Sequence, residues 1–318
     1  MSTATSTATW AGAPVSGRFR HEAAFYRGPD DFVATVLPFV REGIEGGEAI
    51  LVALIPDRIA ALREALGPDS SAVTFVDMSE LGANPARILP EWRRFLEESA
   101  GTGPVRGIGE PVWSGRRPVE VEEAELHEAL LNLAFDDGPP WHLLCPYDLS
   151  ALPEDVVEEV VRNHPVATPS PVEVEYGGHD HALAVFAAPL PEPDVDTDEI
   201  TFAAEDLAGL RGVVGRLSDQ AGLGSEAGDD LVLAAHELAT NSVCHGGGTG
   251  TLRVWSEPGA FVVEVSDAGV IEDPLVGRDV MHELSEHGRG VWMANQLCDL
   301  VQVRSGPGGT VVRLFAWL

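Results

Sequence analysis

The sequence predicts a two-domain α/β protein: a mainly parallel sheet packed with helices, then an antiparallel-rich sheet covered by helices. Three observations predict it. The 318 residues exceed one average domain and suit two. From Phe19 to about Ala167, strand-like and helix-like patterns alternate, as a parallel sheet with crossover helices requires. From Glu199 onward the rhythm changes to strand, two helices, hairpin, helix, hairpin. Between them, residues 168–198 carry no arginine and cluster proline and acids, as in Pro189-Leu190-Pro191-Glu192-Pro193-Asp194, which predicts a stiff, extended, charged linker.

The first domain opens after Met1 to Gly17, a Ser/Thr/Ala-rich stretch expected to be a disordered lead-in, residues 1–18 in all. Asp30 to Gly43 has helical spacing, Glu48 to Ile55 is an apolar run of strand length, and Pro56 to Leu66 is a helix stopped by Gly67-Pro68. Val73 to Asp77 follows as a strand, Pro85 to Ala100 and Val119 to Phe135 as helices, and Trp141 to Cys145 as a strand. In the second domain, Glu199 to Ala203 is a strand and Glu205 to Gly222 a helix. Ser225 is the expected N-cap of a second helix reaching Cys244, whose apolar stripe is Leu231, Ala235, Leu238 and Val243. Leu252 to Ser256 and Phe261 to Ser266 form a hairpin about Glu257-Pro258-Gly259. A helix opens at Gly288-Arg289-Gly290, and Leu300 to Arg304 with Thr310 to Trp317 close the chain as a second hairpin.

Composition narrows the function. All 20 basic residues are arginine, so a P-loop lysine, a lysine Schiff base and a eukaryotic-type kinase lysine are excluded. A net charge of −31 argues against nucleic acid and anionic membrane as partners. Cys145, Cys244 and Cys298 form no C-x-x-C, which suggests neither a disulfide framework nor a zinc site and fits a reducing, cytoplasmic setting. The N-terminus lacks the basic and apolar regions of a signal peptide, and no apolar run reaches the length of a membrane helix.

Chemistry concentrates in the second domain. Glu237 and Asn241 lie four apart and share a helix face. The spacing alone is weak, since Glu128 and Asn132 repeat it in the first domain. What raises it is company in a fixed order: Asp267-Ala268-Gly269 closing a strand, Gly288-Arg289-Gly290 opening a helix, and Gly309-Thr310 opening the last strand. An aspartate at a strand end can accept a hydrogen bond from an adenine amino group, and a glycine two residues on lets the ring approach the backbone. Gly-x-Gly at a helix start offers unpaired N–H groups to phosphate. An asparagine oxygen on the facing helix can ligate Mg²⁺, and a carboxylate one turn away can take a proton from an attacking hydroxyl. Residues 200–318 carry 7 Arg against 16 acids, so phosphate would be held by Mg²⁺, backbone amides and Arg289 rather than by a basic patch.

The string His236-Glu-Leu-Ala-Thr-Asn241 with these glycine motifs resembles the Bergerat-fold (GHKL) ATPases, and within them the anti-sigma-factor serine kinases of the RsbW type, over residues 199–318. The resemblance implies ATP and Mg²⁺ as cofactors. It makes Glu237 the catalytic base, Asn241 the metal ligand and Asp267 the adenine anchor, with Gly269, Gly288, Arg289, Gly290 and Thr310 holding nucleotide. One departure stands out: the usual first box is Asp-x-Gly-x-Gly, and Ile271 replaces its second glycine. The expected lid, Val270 to His287, carries no lysine.

In residues 19–167, His21-Glu-Ala-Ala-Phe25-Tyr26, Asn84-Pro-Ala-Arg87, Gly109-Glu110-Pro111 with Trp113, His127-Glu-Ala-Leu-Leu-Asn132 and Cys145-Pro-Tyr-Asp148 resemble the MEDS sensory domain. That implies a RecA/KaiC-related fold lacking a P-loop, and a small hydrocarbon-like molecule as ligand. The whole architecture is similar to the actinobacterial anti-sigma regulatory proteins of the RsbA family, and a chain without lysine fits a high-GC genome.

Three functions follow as expectations. In the first, the chain phosphorylates a serine or threonine of a STAS-type anti-sigma-factor antagonist and sequesters a sigma factor, under control of the sensor domain. In the second, Ile271 marks a degenerate site and regulation is by contact alone. In the third, a sensor histidine kinase, a phosphoacceptor helix pair would have to fit in residues 168–198, where there is no room. A homodimer is a family expectation only. Histidines invite other readings: His282 and His287 are five apart, so no H-E-x-x-H zinc motif exists. His21 and His127 read as structural before ligand-contacting, His245 as a helix cap before a phosphate contact, and Trp113, Trp141 and Tyr147 as core.

Overall fold

The computed structural model describes residues 19–167, 169–279 and 288–318. The lead-in and the 280–287 part of the expected lid, with His282 and His287, lie outside the described residues. The first domain runs β1 (Arg20–Tyr26), α1 (Gly28–Gly46), β2 (Ala49–Leu54), α2 (Pro56–Leu66), β3 (Thr74–Asp77), α3 (Met78–Leu81), α4 (Ile88–Glu98), β4 (Val105–Gly109), α5 (Pro118–Phe135), β5 (His142–Asp148), α6 (Glu154–Asn163) and β6 (Val166–Ala167). Its six strands are all parallel, in the order β3-β2-β4-β5-β1-β6.

Alternate strand residues face opposite sides of that sheet. Ala24, Tyr26, Ile50, Val52 and Leu144 meet α1 and α2. Ala23, Leu51, Ala53, Leu143, Cys145 and Tyr147 meet α4, α5 and Val160 of α6. Burial on both faces is the condition under which parallel sheets occur. Pro56 and Pro118 start α2 and α5, where a missing N–H costs nothing.

The helix α7 (Gly178–Ala187) follows, then β7 (Asp198–Ala203), α8 (Leu207–Ala221), α9 (Ser225–His245), β8 (Thr249–Glu257), β9 (Ala260–Asp267), α10 (Arg289–Leu297), β10 (Leu300–Gly306) and β11 (Gly309–Trp317). These five strands pair antiparallel in the order β10-β11-β9-β8-β7. One core joins Leu252, Val263, Val265, Val301, Val312 and Leu314 of the sheet to Leu231, Ala235 and Leu238 of α9 and Val291 of α10.

The structure corrects several expectations. Residues 168–198 are not uniformly extended: they include α7, whose Ala182 and Phe186 are buried in the core shared with Leu126 and Leu130 of α5. Local proline and charge around it masked a helix that only tertiary burial stabilises. Pro85 to Ala100 is not one α-helix but a 3-10 turn at Pro85–Arg87, capped by the Asn84 side chain, followed by α4. Ser225 is the first residue of α9 and Gly224 its N-cap, with extended backbone and no side-chain cap. The strand β4 passed unnoticed because Gly107 and Gly109 weaken strand propensity. They are needed there, since a Cβ on either would lie about 3 Å from the Trp92 ring.

The two domains pack on each other. Edge strand β10 is covered by α7, and its Gln302 and Arg304 side chains reach Glu122 and Glu123 of α5. Covering an edge strand also removes a template for unwanted pairing. Arg87 donates to the carbonyls of Asn295 at 2.7 Å and Cys298 at 2.8 Å, and Asn84 to Asn295 Oδ1 at 3.0 Å. The guanidinium of Arg117 stacks on Trp317, 4.0 Å from the ring centre.

Candidate functional site

The site in the second domain is built where α9, the β9 end and the β11 start meet. On α9 the stripe Leu231, Ala235 and Leu238 is buried, and Ser242, one turn further on, continues it with a hydroxyl. That hydroxyl lies 2.6 Å from Asp267 Oδ2 and donates to it, while Gly269 N–H donates to Oδ1 at 2.7 Å. Asp267 is thereby held by two donors, each oxygen retaining a free lone pair. Register does the rest: Thr310 of β11 lies directly opposite Asp267 of β9.

A relay of hydroxyls fixes the turn after Asp267. Ile271 N–H donates to Ser305 Oγ at 2.7 Å, Ser305 Oγ to Thr310 Oγ1 at 2.8 Å, and Thr310 Oγ1 to Gly269 O at 2.8 Å. Each hydroxyl accepts one hydrogen and gives one, so the chain has a single consistent direction. Gly269 is required by crowding, since a Cβ there would stand 2.8 Å from the Gly246 Cα.

A cavity opens among these groups, lined by Asn241, Asp267, Gly269 and Thr310, with His245 and Ile271 also on its wall. Beside it, α10 begins with Gly288 as N-cap. A Cβ on Gly290 would fall 2.5 Å from Asn241 Nδ2, so the glycine lets the helix start approach the asparagine. The first-turn N–H groups of α10 have no partner within the helix. The structure thus brings five of the expected site positions, Asn241, Asp267, Gly269, Gly290 and Thr310, to one place.

The others are less engaged. Glu237 is half-buried one turn before Asn241 on α9, and its carboxylate has no hydrogen-bond partner among the described residues. Arg289 is exposed at the α10 start. His245 ends α9 and is exposed, while lining the cavity. Ile271, the departure from the glycine box, is half-buried on the cavity wall and its side chain packs into the domain core. Sequence reasoning missed Ser242, Ser305 and Gly246. Only Ser242 left a signal, a polar residue inside an apolar helical stripe.

The segment leaving this site is tied to the first domain. Arg278 is 3% exposed and bonds Glu123 of α5 at 2.9 Å, and Arg304 reaches the same carboxylate at 2.6 Å. Burial pulls the Arg278 guanidinium below its ordinary pKa, and the Glu123 carboxylate opposes that pull. Arg93 of α4 bonds Asp279 at 2.5 Å.

In the first domain the MEDS-like residues part company. Asn84 and Arg87 serve the domain interface, as above. Glu110 is buried and accepts from Tyr26 Oη at 2.9 Å, and burial pushes its carboxyl up to about 7. His127 is buried, its Nδ1 has no hydrogen-bond partner among the described residues, and burial pushes it down to about 3. Trp141 and Tyr147 are core residues, as expected, and Trp113 packs partly buried against the same core. His21 and Tyr147 meet the Glu128 carboxylate, and Asn132 and Cys145 contact His21. No described helix is long and apolar enough to cross a membrane.

Comparison with known proteins finds a likeness for each of the two domains. Residues 20–165 match the family model described as MEDS, the methanogen/methylotroph, DcmR sensory domain. Residues 200–316 match the model of the histidine kinase-like ATPase domain. No curated protein matches the chain. Among solved structures it is similar to the RsbU and RsbW domains of Rv1364c from Mycobacterium tuberculosis, at 20% identity and a TM-score of 0.30. That match covers 38% of this chain and about a third, 32%, of the other.

Proposed function

We propose that the chain is an anti-sigma regulatory protein of the RsbA type. On this reading its second domain, residues 199–318, binds Mg-ATP and phosphorylates a serine or threonine of a STAS-type antagonist, and also sequesters a sigma factor. Residues 19–167 act as the sensor, on a RecA/KaiC-related fold without a phosphate loop, and residues 168–198 connect the two. The setting is the cytoplasm.

The observation that carries the nucleotide reading is the convergence of Asn241, Asp267, Gly269 and Thr310 on one cavity, with the α10 start packed on Asn241. The match of residues 200–316 to the histidine kinase-like ATPase model supports it. The donor set fits the nucleotide. Asp267 keeps acceptor capacity toward the cavity, and the glycine at 269 leaves room above the backbone for a flat ring. Asn241 Oδ1 is the group that would hold Mg²⁺, and the α10 amides with Arg289 would receive phosphate oxygens. Bound Mg-ATP supplies the transferable phosphoryl group and the metal's neutralising charge. The unengaged Glu237 carboxylate is the base that would take the proton of the substrate hydroxyl.

Regulation has a physical route. The segment leaving the Asp267 turn carries Arg278, and Arg278 is bound to α5 of the sensor domain. Any rearrangement of α5 changes what holds that segment.

Ile271 favours a second reading, a contact-only regulator, because it occupies cavity wall where the ATPase motif has glycine. Titration calorimetry with Mg-ATP and ADP on the wild type and Asn241→Ala separates the two. Magnesium-dependent binding, weakened at least tenfold in the variant, is the expected result. Absence of binding at millimolar nucleotide would refute the kinase reading and leave the contact-only regulator.

A further inference from the structure

The Glu128 cluster in the first domain has an unusual proton inventory. His21 Nδ1 is 3.2 Å from Asn132 Oδ1, and the orientation of that amide is fixed because Asn132 Nδ2 donates to Asn163 O at 2.8 Å. His21 Nδ1 must therefore carry a hydrogen. His164 Nδ1 is 2.6 Å from the Val160 carbonyl, which can only accept, so it carries a hydrogen too. In each neutral imidazole the other nitrogen, Nε2, is then a bare lone pair.

Both lone pairs converge on one point. His21 Nε2 is 3.2 Å and His164 Nε2 2.9 Å from the same oxygen, Glu128 Oε2, and His21 Nε2 is 3.4 Å from Cys145 Sγ. His164 Nε2 makes no hydrogen bond with that oxygen despite the distance. The Cys145 S–H can donate to His21 Nε2, but no described donor reaches His164 Nε2, which faces the carboxylate oxygen lone pair to lone pair; a cation between the groups removes that repulsion. Protonating one ring still leaves the other without a partner at Nε2, and protonating both would place two imidazoliums with centres 4.0 Å apart in a buried core beside a single carboxylate.

We propose that His21, Glu128, Cys145 and His164 form a buried four-coordinate site for a divalent transition-metal ion of the zinc class. The four ligand atoms lie within 4.8 Å of one another, and all four residues are buried. Metal–ligand bonds of about 2.0–2.3 Å in a tetrahedron put ligand atoms about 3.3–3.6 Å apart, close to the separations seen here. Two imidazoles, one carboxylate and one thiolate suit zinc by softness. Charge closes as well: the carboxylate and the thiolate together neutralise a dication, and the thiol proton leaves on binding.

The surroundings are those of a metal site. Asn132 Oδ1 and Val160 O orient the two rings through their Nδ1–H groups, and Tyr147 Oη donates to Glu128 Oε2 at 2.9 Å. With all four positions filled by protein, the site is closed, as structural zinc sites are. Sequence spacing hid it, because the ligands come from β1, α5, β5 and the residue after α6. Glu128 also shares α5 with Glu123, which binds Arg278.

The test uses the full chain, stripped with chelator, refolding checked by circular dichroism, then reloaded with Zn²⁺ or Co²⁺ and dialysed. Elemental analysis is expected to find about one equivalent of Zn²⁺ per chain. The Co²⁺ form is expected to show intense tetrahedral d–d bands and a thiolate-to-cobalt charge-transfer band in the near ultraviolet. Cys145→Ser, nearly isosteric, should lose the charge-transfer band, whereas Cys244→Ser and Cys298→Ser should keep it. Asn132→Ala, which leaves all four ligands in place but removes the amide that orients His21 and bonds Asn163 O, should weaken zinc binding about 10–100-fold. A folded wild type that retains less than a tenth of an equivalent overturns the proposal. So does a charge-transfer band that survives in Cys145→Ser.

Discussion

Replacing Glu123 with glutamine tests whether the site segment and the first domain are coupled through a buried ion cluster. Glu123 lies between Arg278 at 2.9 Å and Arg304 at 2.6 Å, with side-chain exposures of 1%, 4% and 8% respectively. The substitution keeps the shape and removes the one carboxylate that pairs with the two guanidiniums among the described residues. Breaking a buried pair by removing one partner costs about 3–5 kcal/mol, because the remaining charge stays desolvated. With an unfolding entropy near 2.1 cal/mol/K per residue, a chain of this length loses stability at about 0.7 kcal/mol per degree, so Tm should fall by about 4–8 °C. Differential scanning calorimetry reads this directly. Because the cluster bridges the domains, the variant's unfolding should also be broader than that of the wild type, or split into two transitions. Adding Arg278→Met and Arg304→Met to the variant should recover most of the loss, since an apolar replacement leaves no buried charge. A Tm within 1 °C of wild type would refute the reasoning, for it would mean that water reaches the cluster and the coupling is weak.

Two further outcomes are expected besides those of the nucleotide and metal experiments. Gly290→Ala should weaken Mg-ATP binding tenfold or more with Tm nearly unchanged, because the new Cβ would displace the Asn241 amide 2.5 Å away; calorimetric titration checks it, and unaltered affinity would separate the α10 start from the site. Glu110, raised to about 7 by burial, contributes stability that is fully present below its unfolded pKa near 4.5 and is lost as pH rises through 7. Urea melts between pH 4.5 and 8 should lose up to about 3 kcal/mol from this group. Glu110→Gln should flatten that slope, and an unchanged slope would place the effect elsewhere.

How much of this was legible in the chain varied with the kind of signal. Long helices such as α5 and α9 and apolar strands such as β2 were visible because their signals, helix-forming runs and apolar blocks bounded by turn residues, are local. The helix α7 and the strand β4 were not. One depends on burying Ala182 and Phe186 against another domain, and the other uses glycines that make sense only beneath Trp92. The order Asn241, Asp267, Gly269, Gly288-x-Gly290, Thr310 was readable because each position needs a particular residue type. Ser305 and Gly246 had no such mark, as their roles are set by neighbours distant in sequence.

The sequence by itself determined the number of domains, the sheet type of each, the exclusion of lysine chemistry and the positions of the nucleotide-type motifs. These follow from composition, period and spacing, which are properties of neighbouring residues. Only the tertiary structure decided that Asn84 and Arg87 serve the domain interface, that Arg278 ties the site segment to α5, and that His21, Glu128, Cys145 and His164 meet. Each of those rests on residues far apart in the chain being brought within about 3 Å, and on burial that turns an ordinary polar group into one that must find a partner.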